Sequence, residues 1–428
     1  MCKMEGWVTD TLVNIFEVIS GATPATEIKE YWDGDIVWIT PNDLSKISLN
    51  HIDKSERMIS AKGLKSCSAN LIPSNSLVMS SRAPIGYLAI STTDYATNQG
   101  CKSLIVRDST KHSADFHYFN LIFNMKKIKD LGTGTIFMEV SKKAISGVEI
   151  DFPSSLTEQQ KIATILSTID HCIAQTQQLI AKYKNIKQGL MLDLLSYGID
   201  QKGNIRNPQT HMFEVKKGLM VPKEWDVKRI DEIAHVTGGK RLPAGHEYSS
   251  VNTGFRYLRV TDFYNKKVDY ISLENIEERT FKALERYEIF PNDLFISIAG
   301  SIGYVGVNKS NIVDRIILTE NALRIHVSEE VLPDYLSMQI NSEVVQKQIW
   351  SEIGTGGGVP KLAKYRVESL LVPFPRTDEH YNEQQKILSI LEQQDKIIES
   401  ERTNLSKLQK LKQGLMQDLL TGKVRVKI

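Results

Sequence analysis

Cysteine is scarce in this chain. Among 428 residues there are four, Cys2, Cys67, Cys101 and Cys172, with no CxxC pair and no Cys/His spacing of a zinc site. That excludes a disulfide-stapled scaffold and predicts reduced thiols. Long apolar runs are missing too: none reaches the ~18–20 residues that a membrane span needs. Met1 to Asp10 has no basic stretch followed by an apolar one, so a secretory leader is not expected and the cytoplasm is the predicted compartment. Neither sign of charge is in excess, with 53 Lys and Arg against 51 Asp and Glu. Counted by segment, neither large stretch is basic in bulk, so composition makes no case for nucleic acid. With 41% hydrophobic and 24% charged residues the chain can bury real cores. At roughly 100–200 residues per domain, its length predicts two to four domains.

Catalytic signatures are missing as well. No GxxxxGK[ST] phosphate loop occurs, and Gly238-Gly239-Lys240 lacks its spacing. There is no [DN]PP[YF] tetrapeptide to hold a base amino group, and no glycine-rich SAM loop follows a strand. Ala299-Gly300-Ser301-Ile302-Gly303 misses GxSxG, because Ala299 stands where the first glycine belongs. Pro333-Asp334 is followed by no correctly spaced ExK. His112 and His117 are five apart, off one helical face, and predict no metal site. Nothing assembles a nucleophile, a base and an orienting group, so a non-catalytic chain that binds no cofactor of its own is expected.

What is present is repetition. Residues 157–199 align without a gap on 382–424 at a constant offset of 225, and both copies open with EQQKI and close with KQGLM followed by DLL. Each carries a 4-3 apolar alternation. The first runs Ile162, Leu166, Ile169, Ile173, Thr176, Ile180, Tyr183, Ile186, Leu190, Leu194. The second runs Ile387, Leu391, Gln394, Ile398, Glu401, Leu405, Leu408, Leu411, Leu415, Leu419. That is a coiled-coil seam over about five heptads, and the two helices are expected to pair with each other. Gln394 and Glu401, facing Ile169 and Thr176, would fix the register. Thr157 and Asn382 are the predicted N-caps, each with a Gln three residues on.

The stretches before the helices repeat more weakly, at offsets drifting from 217 to 223. Trp7, Leu12, Ile15 and Val18 answer Trp225, Ile230, Ile233 and Val236, and both sets predict a short amphipathic helix ending at Gly21 and at Gly239. Val37-Trp38-Ile39 answers Arg256-Tyr257-Leu258, with Trp38 and Tyr257 as core strand positions. Leu77-Val78-Met79 with Ile85-Gly86-Tyr87 answers Leu294-Phe295-Ile296 with Ile302-Gly303-Tyr304, which predicts strand, glycine turn and returning strand. Asn98 answers Asn321. The expected order is a globule over 1–153, a helix over 157–198, a linker over 199–222, a globule over 223–376, and a helix over 382–422 with a tail to 428.

Polar and glycine loops recur in both globules. Gly132-Thr133-Gly134 and Gly354-Thr355-Gly356 can bring backbone N–H groups close to phosphates, with Lys127 and Lys361 nearby; tight turns explain the same glycines equally well. Arg82 beside Ser81, and Lys240-Arg241, stand on loops from which a guanidinium can reach a base edge.

In combination these pieces resemble the specificity subunit of type I restriction–modification systems, over essentially the whole chain. The resemblance rests on Ser20-Gly21-Ala22-Thr23-Pro24, Tyr31-Trp32-Asp33-Gly34-Asp35-Ile36, both EQQKI starts, and Val221-Pro222-Lys223-Glu224-Trp225. The second half departs from the pattern: it has Gly238-Gly239-Lys240-Arg241-Leu242-Pro243 in place of SGATP and lacks the YWDGDI segment. The resemblance implies an α+β protein: two pseudo-symmetric target recognition domains of mixed sheet and helices, joined by two long antiparallel coiled-coil helices. It implies that the chain catalyses nothing and that each domain reads one half of an interrupted site in double-stranded DNA. The helices would set the spacer and dock two modification (methyltransferase) subunits, and motor–nuclease restriction subunits would complete the complex. SAM, ATP and Mg would sit on those partners, with no metal on this chain and no membrane contact. Candidate DNA-contacting residues are Thr23, Thr40, Asn42, Ser81, Arg82, Asn98, Gln99, Lys127, Gly132, Thr133 and Gly134 in the first half. In the second they are Lys240, Arg241, Arg259, Thr261, Gly300, Ser301, Asn321, Gly354, Thr355, Gly356 and Lys361. The rival expectation is a pseudo-symmetric scaffold that joins proteins without reading DNA.

Overall fold

A computed structural model describes residues 6–47, 49–133, 138–264, 267–309, 314–352, 360–375 and 380–427. Gly134, Gly354, Thr355 and Gly356 lie outside them. The chain forms two units, Met1–Ala181 with Ser400–Ile428, and Lys182–Glu399. The division falls inside both long helices, Leu156–Tyr197 and His380–Leu419.

Unit one holds a five-stranded sheet in the order Phe16–Ser20, Cys101–Val106, Leu77–Ser80, Leu88–Ser91, His51–Ile52. A three-stranded sheet runs Met58–Ile59, Trp32–Ile39, Tyr95–Thr97, and Trp7–Thr11 pairs with Glu149–Pro153. Unit two repeats the plan. Ala234–Gly238, Ala322–Val327, Leu294–Ser297 and Val305–Val307 are neighbours in one sheet, Phe255–Leu258 lies parallel to Arg315–Leu318 in another, and Trp225–Arg229 pairs with Leu371–Pro375. The registers agree: Ser20 opposes Lys102 as Gly238 opposes Leu323, and Ser80 opposes Cys101 as Ser297 opposes Ala322. The five-stranded sheet of unit one and the sheet led by Ala234–Gly238 in unit two each pack an apolar face on short helices and on a stretch of long helix. Ile162 and Leu166 join the core of unit one, and Ile387 and Leu391 that of unit two.

The helices expected after Trp7 and Trp225 are strand, single helical turn and strand: Trp7–Thr11, Leu12–Ile15, Phe16–Ser20, and Trp225–Arg229, Ile230–Ile233, Ala234–Gly238. Leu12 and Ile15 are buried on one turn, so their spacing is helical. From Phe16 the burial alternates with period two, because Cys101–Val106 supplies a backbone partner that local spacing cannot reveal.

The long helices start earlier than Thr157 and Asn382 suggest. Ser155 caps the first, its Oγ accepting Glu158 N at 3.3 Å, and Asn382 lies inside the second. Ile162, Leu166, Ile169, Ile180, Ile387, Leu391 and Ile398 are buried, and Ile173, Leu190, Gln394, Leu405 and Leu415 half-buried. Ile186 and Leu411 leave the seam, at 40% and 52% exposed. Register is set by ion pairs: Lys187 Nζ on Asp395 at 2.6 Å in unit two and Lys412 Nζ on Asp170 at 2.5 Å in unit one, an antiparallel arrangement in each. Gln394 and Glu401 therefore do not face Ile169 and Thr176: Lys187 of the first helix meets Asp395 of the second, and Asp170 of the first meets Lys412 of the second.

The repeated EQQKI now has a physical reading. Gln159 is buried, its Oε1 accepting Ser113 N at 2.9 Å and its Nε2 donating to the carbonyls of Lys111 and Pro153. Gln384 does the same job, accepting Leu332 N at 2.8 Å and donating to Glu330 O. Ser113 and Leu332 are the N-cap residues of helices Ala114–Phe123 and Pro333–Ile340, so each amide ties a long helix to the start of a short one. The preceding glutamates take arginines from beyond the helix ends: Glu158 is held bidentately by Arg425, and Glu383 by Arg206 at 2.6 Å. Arg206 lies in the stretch read as a linker, which also carries the hairpin Phe213–Lys216 and Leu219–Pro222.

His112 Nδ1 and His117 Nε2 stand 3.2 Å apart, and no group of three metal-ligating side chains occurs among the described residues. Burial, with His112 second, pushes His117 down to about 3. An unfolded histidine near 6.5 takes up a proton that the folded one refuses, so stability falls as pH drops from about 6.5 towards 3. Between pH 7 and pH 5 the loss expected from this residue is about 2 kcal/mol. Denaturant unfolding of the whole chain at both pH values should show a shallower drop for His117→Phe than for wild type; equal drops would refute the assignment.

Candidate functional site

Two loop clusters, one in each unit, are built by the same backbone bonds. In unit one, Asn98 N donates to Ile39 O (3.2 Å), Ala22 N to Thr97 O (2.9 Å), Ser81 N to Gly100 O (2.8 Å) and Val140 N to Ser81 O (2.9 Å). In unit two, Thr319 N donates to Leu258 O (3.0 Å), Lys240 N to Leu318 O (3.0 Å), Ile298 N to Asn321 O (2.8 Å) and Leu362 N to Ile298 O (2.9 Å). Glycine is required where the first loop crosses the strand-end turn. A Cβ on Gly21 would lie 2.2 Å from Thr97 O, and one on Gly239 2.0 Å from Thr319 O. This network corrects one pairing made from the sequence: Asn98 corresponds to Thr319, and Asn321 to Gly100.

Trp38 and Tyr257 are buried as expected, and each has a further task. The Trp38 indole N–H donates to Ala22 O at 3.1 Å, and the Tyr257 hydroxyl donates to Lys240 O at 2.8 Å. Different side chains thus hold the same loop from the same strand position. Burial pushes the Tyr257 hydroxyl up to about 12, so it remains a donor through the physiological range. A second shared device is a serine at the strand end. Ser80 Oγ accepts Tyr87 N and donates to Pro84 O, while Ser297 Oγ accepts Tyr304 N and donates to Ser301 O.

On this common frame the exposed side chains differ. In unit one, Thr23 Oγ1 donates to Gln99 Oε1 at 2.5 Å. Arg82 Nε donates to Glu139 Oε2 at 2.8 Å, and the buried Lys102 reaches the other carboxylate oxygen at 3.2 Å. Burial alone would raise Glu139, but the hydrogen bonds from Arg82 and Lys102 hold it below the usual carboxylate range. Arg82 therefore presents a charge-compensated guanidinium with its side chain 46% exposed. In unit two, Arg241 Nε donates to Glu320 Oε1 at 2.8 Å. Ala299 stands where Arg82 does, Leu323 replaces Lys102, and Lys361 is exposed where unit one has Glu139.

The structure brings together Thr23, Ser81, Arg82, Asn98, Gln99 and Thr133, the last through reciprocal backbone bonds with Glu139 at 3.1 Å. Gly132 adjoins them, and Lys127 projects from the short helix Met125–Lys129. Thr40 is spent internally as the N-cap of Pro41–Ser45, its hydroxyl on Asp43 at 2.6 Å. Asn42 donates to Glu56 at 2.9 Å, and Asn98 Oδ1 accepts Gly100 N at 3.0 Å. In unit two the cluster joins Lys240, Arg241, Asn321, Gly300, Ser301 and Lys361. Arg259 is held by Asp262 and Glu274, at 2.8 and 2.9 Å, and Thr261 is exposed beside it. Glu139, Lys102 and Glu320 escaped the sequence reading, since nothing local marks a carboxylate that will meet a loop arginine from a distant segment.

The family described as type I restriction modification DNA specificity domain matches residues 4–185 and 222–410. The MjaIX type I restriction enzyme specificity subunit of Methanocaldococcus jannaschii is 34% identical over 254 residues, 59% of this chain and 57% of that relative. The chain thus matches just over half the length of that curated protein. A solved chain from work on complex assembly and conformational transition of the type I R-M system superposes with TM-score 0.64 at 14% identity, covering 97% of this chain and 98% of its own. The type I restriction–modification S subunit from M. genitalium superposes at 0.52 and 15% identity, over 100% and 98%.

Proposed function

The chain belongs to the type I restriction–modification DNA specificity family, and from that premise we propose that each of its two loop clusters reads one half of an interrupted site in double-stranded DNA. As a specificity subunit the chain is the recognition component and not the enzyme. The observation that carries the proposal is one backbone frame, built twice, with different exposed polar groups on each copy. A repeated frame gives equivalent approach to two stretches of duplex; different side chains give each copy its own donor and acceptor pattern. The paired helices would set the spacer. Half-sites on one face of B-DNA recur every 34–36 Å, and a 42-residue helix reaches about 60 Å.

The helices would also seat two modification subunits, because two similar surfaces on one chain accept two identical partners. Leu192 and Leu411, each 52% exposed on the helices, support protein docking there. SAM would belong to those subunits, and ATP and Mg to restriction subunits. No described helix is long and apolar enough to cross a membrane, and the proposed site of action is cytoplasmic DNA. With near-neutral net charge, much of the phosphate clamp would come from the partners.

The test is a map of methylated adenines in a host carrying this gene with its modification subunit. The comparison is a host in which residues 1–150 are replaced by another recognition domain. An interrupted motif is expected, with one half changed by the replacement and the other retained. If no motif depends on the gene, the scaffold reading takes over.

A further inference from the structure

The two loop clusters share a backbone, so positions can be matched by their hydrogen bonds rather than by sequence. Ala22 and Lys240 occupy one position, each donating its N–H to the residue that ends the parallel strand, Thr97 or Leu318. The next residues are Thr23 and Arg241. Asn98 and Thr319 share another position, each donating to the end of the central strand, and the next residues there are Gln99 and Glu320. The side chains at these two matched positions touch each other in both units. Thr23 donates to Gln99 at 2.5 Å, and Arg241 donates to Glu320 at 2.8 Å. A neutral pair in one unit therefore stands where an ion pair stands in the other.

We propose that these matched pairs are the base-reading pairs of the two half-sites, with Arg241 reading guanine in one and Gln99 reading adenine in the other. The assignment rests on the proposed function and adds to it which residues discriminate and between which bases.

The chemistry follows from what each pair leaves unused. Glu320 takes only Nε of Arg241, whose side chain is 79% exposed. Both terminal amino groups carry no partner among the described residues. Held in that way, a guanidinium presents two parallel N–H bonds, which match O6 and N7 of guanine. The same carboxylate offsets the charge of the guanidinium and disfavours a phosphate, a contact that carries no sequence information. Burial would raise Glu320, but the bond from Arg241 and those from its own backbone and Thr319 keep it below the usual carboxylate range, so the brace persists at neutral pH. Gln99 is exposed, and Thr23 fixes its amide by one lone pair of Oε1. The remaining lone pair and the amide N–H bonds are an acceptor and a donor, the pattern that adenine N6 and N7 require.

The experiment exchanges the pairs in the full chain, assembled with its modification subunits. One variant is Arg241→Thr with Glu320→Gln, and the reciprocal variant is Thr23→Arg with Gln99→Glu. Binding is read by selection from duplexes randomised at every specified position, and in vivo by the adenine methylation map. Each exchange should alter preference at one base pair of one half-site, lowering discrimination there by roughly ten- to hundredfold, and leave the other half intact. Gln99 and Arg241 are exposed while Thr23 and Glu320 are half-buried, so Arg241→Ala alone is a third variant that leaves Glu320 in place, with the same expected loss at that base pair. An unchanged motif in the exchanges overturns the assignment while leaving the two-half reading in place. Equal weakening on all sequences also overturns it and marks a phosphate contact. A wild-type complex without any interrupted motif would overturn the functional reading itself, and the assignment with it.

Discussion

Glu383→Ala is expected to destabilise unit two by about 3–5 kcal/mol, the cost of stripping one partner from a largely buried ion pair. Four groups converge on this carboxylate. Arg206 Nη1 lies 2.6 Å away, Ile199 N 2.9 Å, and the indole N–H of Trp225 3.2 Å, with Arg206 Nη2 at 3.4 Å on the second oxygen. Removing it leaves a cation and two donors without an acceptor where water has little access. Glu383→Gln keeps an acceptor for the backbone and the indole, and should lose less. Chemical denaturation of the full chain, followed by its tryptophan fluorescence with and without the substitution Trp225→Phe, checks both variants. A cost below about 1 kcal/mol for the alanine variant would mean that Arg206 escapes to solvent and that the clasp is incidental.

The second large effect is expected from Gly21→Ala. The new methyl group would lie 2.1 to 2.3 Å from Thr97 Oγ1, Thr97 O and Asn98 O, and two of those atoms are backbone, which cannot rotate away. Overpacking of this kind costs about 1–3 kcal/mol. The strain would also part the loop carrying Thr23 from the turn carrying Gln99. Recognition of one half-site should therefore be lost, with the other kept, in the adenine methylation map. Gly239→Ala should do the same to the opposite half, since its methyl group would lie 2.0 Å from Thr319 O. A variant that melts at the wild-type temperature and keeps both halves would refute the close crossing.

Some of this was legible without coordinates. The repeat at 225 exposed two helices and their motifs, because a seam must present the same face turn after turn and so writes itself into spacing. The strand–glycine–strand turns were legible from short apolar runs followed by a glycine, Leu77-Val78-Met79 before Gly86 and Leu294-Phe295-Ile296 before Gly303. The stretch after Trp7 was misread because Leu12, Ile15 and Val18 fit a helix over one turn, and the partner that makes Phe16–Ser20 a strand lies some 85 residues further on. Ile186 and Leu411 continued the heptad on paper yet stand exposed.

The sequence by itself determined that the chain is two repeated globules, each followed by a long helix, that it lacks catalytic signatures, and which loops recur. These are consequences of local periodicity and of residue types that must be present for a given chemistry. Only the tertiary structure decided which side chains meet. It set Lys187 on Asp395 and Lys412 on Asp170, carried Arg206 and Arg425 back to the glutamates of EQQKI, and matched Thr23 and Gln99 with Arg241 and Glu320. Each of those contacts joins segments far apart along the chain. Such a meeting depends on the burial of two sheets and two helices at once, and no window of sequence contains it.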